Sequence, residues 1–176
     1  MKLLLAKAKL DQMRRHNVGV LTSRDLSFLF EEKGIKLQKT ISALQAQGWL
    51  TRATRGVYVH TDGPLIDHVR EHIALSLRGA KAFIYVSLEC ALYRHQLITQ
   101  IPTALTLMTT GRSGRFNTPF GLIELTHTDR PGGELYRQTQ TLDGPLPWAN
   151  ETLALRDANR TGRAKNLILD YQAQYA

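Results

Sequence analysis

His68 and His72 stand four residues apart in a stretch that reads as helix, and imidazoles on successive turns of one helix can share a metal ion. No third ligand follows at a recognisable spacing, and Asp67 and Glu71 beside them read as a polar solvent face. No metal and no other cofactor is expected. Glu89, Glu124 and Asp129 could supply the acidic cluster of a nuclease, but Thr126 stands where a lysine two residues after Glu124 would complete that signature. No GxxxxGK loop is present to cradle a phosphate chain. Cys90 is the lone cysteine, which excludes an internal disulfide and fits a reducing cytoplasm. Its helix suggests no adjacent base, and it reads as a buried, inert thiol. These residues give catalysis no support, and the expectation is a protein that is not an enzyme.

Binding chemistry is better represented. GWLTRATRGVYVH, from Gly48 to His60, sets Arg52 and Arg55 into the bend of a short apolar hairpin. Such arginines serve either as a solvated turn or as a grip on a phosphate backbone. The charge balance favours the second. The 176 residues carry 23 Lys+Arg against 15 Asp+Glu, a net charge of +8, with a pI near 9.9. Residues 1–63 hold 11 of the basic and 5 of the acidic side chains, leaving 12 and 10 for the rest. An excess concentrated in the first third points to a polyanionic partner there, nucleic acid before membrane. The opening MKLLLAKAKL carries lysines at 2, 7 and 9 and is too short in its apolar run for a signal peptide. No stretch approaches the roughly 20 apolar residues that span a bilayer, and no membrane partner is expected.

The elements that must position those arginines follow from the apolar spacing. Leu3, Ala6, Leu10 and Met13 mark one face of a first helix ending near His16-Asn17. Thr22 can cap a second, with Asp25 as its reciprocal partner, Leu26, Leu29 and Phe30 as its stripe and Gly34 as its left-handed stop. Leu37, Ile41 and Leu44 make the stripe of a third helix that stops at Gly48. Trp49 and Leu50 enter a hairpin with its tip at Ala53-Thr54-Arg55-Gly56, and Val57 and Val59 leave it. Three short helices and a hairpin predict a winged helix-turn-helix over residues 1–62, the third helix entering the major groove. Its exposed face would be Lys36, Gln38, Lys39, Ser42 and Gln45, with no acidic residue among them. With Arg52, Thr54 and Arg55 of the wing, these form the expected DNA-binding set, the arginines acting as phosphate clamps. A winged helix that binds protein, with a merely solvated tip, is the bland alternative.

HTDGP, from His60 to Pro64, marks a boundary. Over 63–176 the pattern predicts a small α+β domain with a mostly antiparallel sheet. Ile66, Val69, Ile73 and Leu77 give a helical stripe, Ala82–Val86 a strand, and Ser87 the cap of a helix carrying Leu88, Ala91, Leu92 and His95. ALTLMTT reads as a strand, GRSGR as a turn, and FGLIELTHT as the returning strand, with Phe120 to Leu125 largely core. Asp129–Asn150 is rich in Gly and Pro and reads as loop, before helices around Glu151–Asp157 and Gly162–Tyr175. In the GRSGR turn, Arg112 and Arg115 flank amides able to receive an anion or partner; a soluble hairpin tip is the alternative.

The order of these motifs resembles the AbiEi-type antitoxins, the transcriptional-regulator partners in bacterial type IV toxin–antitoxin (abortive infection) loci. The likeness covers nearly the whole chain and rests on GWLTRATRGVYV, on YVSLECALYRHQLITQIPTALTLMTTGR with the FGLIEL strand after it, and more weakly on ANETLALRD. Asn150 departs from the Thr-Pro pair looked for at the start of that last motif. The resemblance implies a winged helix followed by an antitoxin domain, binding to inverted repeats in the promoter of its own operon, and autorepression. It also implies that the second domain counters a nucleotidyltransferase-type toxin, which need not require a stable toxin complex. The chain is rather short for the family, and the expectation is that accessory C-terminal functions are absent, leaving a regulator more than a neutraliser. Repressors of such sites often act as a dimer or a cooperative pair, though no heptad stands out here. Two other classes stay open from the residues: a nucleic-acid-processing enzyme such as a nuclease, and a basic domain that binds an acidic protein.

Overall fold

The computed structural model describes residues 3–78, 82–164 and 167–168. It is a mixed α+β structure whose chain divides into two compact units, Met1–Leu77 with Thr118–Phe120, and Arg78–Asn117 with Gly121–Ala176.

The first unit runs α1 (Leu3–Arg15), β1 (Val20–Thr22), α2 (Ser23–Phe30), α3 (Gly34–Ala46), β2 (Leu50–Thr54), β3 (Val57–His60) and α4 (Val69–Arg78), whose last residue belongs to the second unit. Its sheet is antiparallel in the order β1-β3-β2. Ala6 and Leu10 of α1, Leu26 and Phe30 of α2, and Leu37, Ile41 and Leu44 of α3 meet Leu21, Leu50 and Tyr58 of the strands in one core. The capping box forms as the sequence suggests: Asp25 N–H donates to Thr22 Oγ1 at 3.2 Å and Thr22 N–H to Asp25 Oδ2 at 2.7 Å.

The stop of α2 falls earlier than the glycine rule suggests. Glu31 takes the left-handed cap at φ 55°, its N–H donating to Phe28 O, while Gly34 opens α3. Gly48 follows α3 at φ +71°, where a left-handed residue is needed to turn into β2. Helix α4 starts at Val69, because His68 sits at φ 53° and leaves Ile66 outside the helix. Glu71 is buried at 5 % exposure instead of lying on a solvent face.

The second unit runs β4 (Ile84–Val86), α5 (Leu88–Arg94), β5 (Ala104–Thr109), β6 (Gly114–Thr118), β7 (Gly121–His127), α6 (Gly132–Arg137), β8 (Thr139–Thr141), β9 (Pro147–Ala149) and α7 (Glu151–Thr161). The sheet order is β6-β7-β5-β4-β9-β8. It is mixed: β5 pairs β7 in parallel and β4 pairs β9 in parallel, while β4–β5 and β8–β9 are antiparallel. The reason lies in GRSGR. Gly114 and Arg115 already belong to β6, an outer strand, so FGLIELTHT returns beside β5 in the same direction as β5. Strand β5, flanked on both sides, is buried along its whole length. Ile123 and Leu125 join the core, whereas Phe120 and Leu122 are half-buried. The segment Asp129–Asn150 is less of a loop than its glycines and prolines suggest, since it contains α6, β8 and β9. The helix expected over Gly162–Tyr175 lies largely outside the described residues.

Helices α5 and α7 pack through Leu88, Ala91, Leu92, Leu153, Ala154 and Ala158 onto Tyr85 and Met108. A buried polar knot fixes α7 to β4. Asp157 Oδ2 accepts from the Tyr85 hydroxyl at 3.0 Å and from Ser87 Oγ at 2.7 Å, and Arg130 Nη1 lies 3.3 Å from Oδ1. Ser87 occupies the N-cap position of α5, but its hydroxyl goes to Asp157 and does not cap the helix. Burial pushes the Asp157 carboxyl above its ordinary range.

Candidate nucleic-acid interface

Each residue advances roughly 100° around a helix, so burying Leu37, Thr40, Ile41 and Leu44 of α3 turns the opposite side to solvent. Lys39 and Ser42 lie near the centre of that side and Lys36 and Gln38 flank it; all four are exposed. Gln45 is half-buried, because it sits closer to the Leu44–Ile41 stripe than an exposed-face residue would. The centre also holds Ile35, 77 % exposed. No acidic residue occurs in α3. The nearest carboxylate is Glu32, whose Oε2 accepts from Thr40 Oγ1 at 2.6 Å; that bond holds its carboxyl below the usual range. Lys36 Nζ stands 3.7 Å from the other oxygen, a weak exposed pair.

The hairpin is short and braced. Thr54 pairs with Val57 across the Arg55-Gly56 turn, Gly56 has φ +76°, and Ser23 N–H donates to Gly56 O at 2.8 Å, tying the tip to the start of α2. Arg52 and Arg55 are exposed and Thr54 is half-buried. Arg52 Nε donates to Thr54 O at 3.2 Å, which lays its guanidinium along the strand next to a bulge. Thus the basic and amide side chains expected on α3 and the hairpin arginines are surface groups of one unit.

Sequence reasoning passed over Ile35 and Phe28. Phe28 is 71 % exposed, with the Arg24 guanidinium 5.6 Å from its ring centre. The signal was present, since Phe28 and Ile35 each fall two residues off a buried stripe.

The other candidates are distributed differently. Arg112 and Arg115 are both exposed, but Arg115 Nε faces Glu124 Oε1 at 3.4 Å, and the carbonyl of Arg112 accepts from Arg78 Nε at 3.0 Å. Glu89 and Glu124 do come together, at a cavity of about 300 Å³. Arg163 bridges them, Nε to Glu89 Oε1 at 2.8 Å and Nη2 to Glu124 Oε2 at 2.7 Å. Asp129 is apart from both, paired with His127 Nε2 at 2.6 Å. That bond, with His127 Nδ1 donating to Gly111 O, raises the imidazole pKa. The acidic trio of a nuclease is therefore not assembled, and its two converging members answer guanidinium groups. His68 Nδ1 lies 3.3 Å from Glu71 Oε1, and burial lowers the pKa of His72. Neither belongs to a group of three potential metal ligands among the described residues. Cys90 is half-buried, its Sγ donating to Ala104 O at 3.2 Å, and is not the fully buried thiol expected.

No helix among the described residues is long and apolar enough to cross a membrane. No protein-family model matches the chain, and no curated protein sequence matches it.

Proposed function

We propose that the chain is a sequence-specific repressor of duplex DNA whose first unit is a winged helix-turn-helix, with α3 as the helix that enters the major groove and β2–β3 as the wing. The observation that supports it best is the acid-free exposed side of α3, carrying Lys36, Gln38, Lys39 and Ser42, in one unit with a braced hairpin tipped by Arg55. In a major groove, Gln38 suits adenine, Lys39 suits guanine and Ile35 suits a thymine methyl. Lys33 at the N-cap of α3 makes no side-chain cap bond, and the positive end of the helix favours a phosphate. Arg52 and Arg55 grip the backbone and set register without reading sequence.

The likeness to AbiEi-type antitoxins extends this to autorepression of a type IV toxin–antitoxin operon in the cytoplasm, through promoter inverted repeats, with the second unit countering a nucleotidyltransferase-type toxin. Footprinting on the region upstream of the native gene tests it. The expected result is protection of two inverted half-sites about 10 base pairs apart or a multiple of that spacing, one protein copy on each. Equal affinity for that region and for random duplex, with no protected segment, would overturn the repressor reading.

A further inference from the structure

The polar cluster at the end of β3 has no part in the reading above. Asp11 on α1, His60 at the last position of β3 and Asp62 in the loop after it bring one ligand atom each within 4.8 Å of one another. The His60 side chain is 0 % exposed. Neither of its ring nitrogens has a hydrogen-bond partner. Buried polar nitrogens without partners are rare and costly, and each one asks for an explanation. Nε2 faces Asp11 Oδ1 at 3.4 Å without hydrogen-bond alignment. That separation is the edge of a tetrahedron with bonds of about 2.1 Å, the length of zinc–imidazole and zinc–carboxylate bonds.

A cation already stands at this place. Lys7 Nζ lies 2.9 Å from Asp11 Oδ2 and 2.6 Å from Asp62 Oδ2. The same ammonium is 5.5 Å from the centre of the Trp49 ring, a second resting place if it leaves the carboxylates. Arg14 donates to the carbonyls of Asp62 and Pro64, which holds the loop in position. Asp11 and Asp62 keep 36 % and 37 % of their side chains exposed, so an ion can enter from solvent.

We propose that Asp11, His60 and Asp62 form a binding site for a divalent first-row transition ion, with Lys7 holding the cation position in the metal-free protein. One imidazole and two carboxylates are a borderline donor set that suits zinc or cobalt(II) better than calcium or magnesium, which take oxygen alone. A water completes the four-coordinate shell. Burial lowers the pKa of the His60 imidazole. The ion would fasten α1 to the end of β3, the central strand of the first sheet.

The test uses untagged full-length protein, stripped of metal, titrated with zinc by calorimetry and with cobalt(II) by visible absorption. One equivalent per chain and the visible spectrum of tetrahedral cobalt(II) are expected. Asp62→Asn should weaken binding by more than the roughly 10–100-fold that loss of an outer-shell partner costs. Lys7→Met should strengthen binding, because it removes the internal competitor. Neither variant alters a fully buried side chain, so both should fold, with circular dichroism as the check. Zinc bound equally by native protein and Asp62→Asn, affinity unchanged or weaker in Lys7→Met, or no binding at all would each overturn the assignment. These outcomes do not depend on DNA, so the site stands or falls separately from the repressor reading.

Discussion

Replacing both Arg52 and Arg55 by alanine isolates the wing from the rest of the proposed interface. Four exposed cations, Lys36, Lys39, Arg52 and Arg55, belong to α3 and the hairpin. If each neutralises one phosphate, the logarithm of affinity falls against the logarithm of salt with a slope of about −3.6. Raising salt from about 50 to about 200 mM would then weaken binding by about 150-fold. Without the two arginines the slope becomes about −1.8 and the same change costs about 12-fold. Lys36 leans toward Glu32 at 3.7 Å, so a slope somewhat shallower than about −1.8 in the double variant is consistent with this count. The fold should survive, since Arg55 is exposed and the bond from Arg52 Nε ends on a carbonyl two residues away. Fluorescence anisotropy on an upstream duplex at several salt concentrations reads the slope directly. Arg137→Ala, an exposed arginine of α6 in the second unit, is the control and should leave the slope where it was. A double variant with the native slope, or a control that flattens it equally, would refute the wing as a phosphate grip.

Two further perturbations probe the scaffold. Thr22→Ala removes the side-chain half of the capping box at α2, the hydroxyl that accepts from Asp25 N–H, and should cost about 1 kcal/mol in urea unfolding, within a range of about 0.5–2. Asp157→Ala strands the buried hydroxyls of Tyr85 and Ser87 and the Arg130 guanidinium, and should cost about 3–5 kcal/mol. Asp157→Asn carries a pH signature. The folded pKa of Asp157 is raised by burial, so the stability from its neutral form is complete below the unfolded value of about 3.9 and is lost as pH rises through the folded value. Asparagine stays neutral, so its stability relative to native should improve with rising pH over that window; a change in the opposite direction would show that Arg130 outweighs desolvation.

What the sequence could carry depended on how far apart the interacting residues lie. The Thr22–Asp25 box, the Leu37–Ile41–Leu44 stripe and the left-handed Gly48 are local, set within a few residues, and were legible. Gly34 misled because a glutamate, Glu31, accepted the left-handed cap that glycine usually takes. Ser87 reads locally as a cap, yet its hydroxyl finds Asp157 from 70 positions away. The parallel β5–β7 pairing was equally hidden, because hydrophobic alternation marks a strand without naming its neighbour. The Glu89–Arg163–Glu124 bridge closes over separations of 74 and 39 residues, which no spacing rule foresees. Of the α3 side chains, only Gln45 faces less to solvent than expected, an angular error of a fraction of a turn.

Both units pair part of their positive charge, and what is left over bears on what the first one binds; there Lys7, Lys9 and Lys36 face carboxylates. In the second, Arg115, Arg130, Arg156 and Arg163 each face a carboxylate, Glu124, Asp157, Glu134 and the Glu89–Glu124 pair. Their charge is used within the fold. In the first, among the described residues, Lys39, Arg52 and Arg55 have no acidic partner, and they occupy α3 and the adjoining hairpin. Uncompensated like charges on one surface repel each other and lower stability unless an external anion receives them. A purely structural role would gain by pairing them, as Arg115, Arg130, Arg156 and Arg163 are paired. A protein partner with scattered carboxylates could satisfy one or two, but a braced hairpin beside an acid-free helix side that carries two lysines suits a repeating line of charge, and the duplex backbone offers one every 1.7 Å or so along its axis.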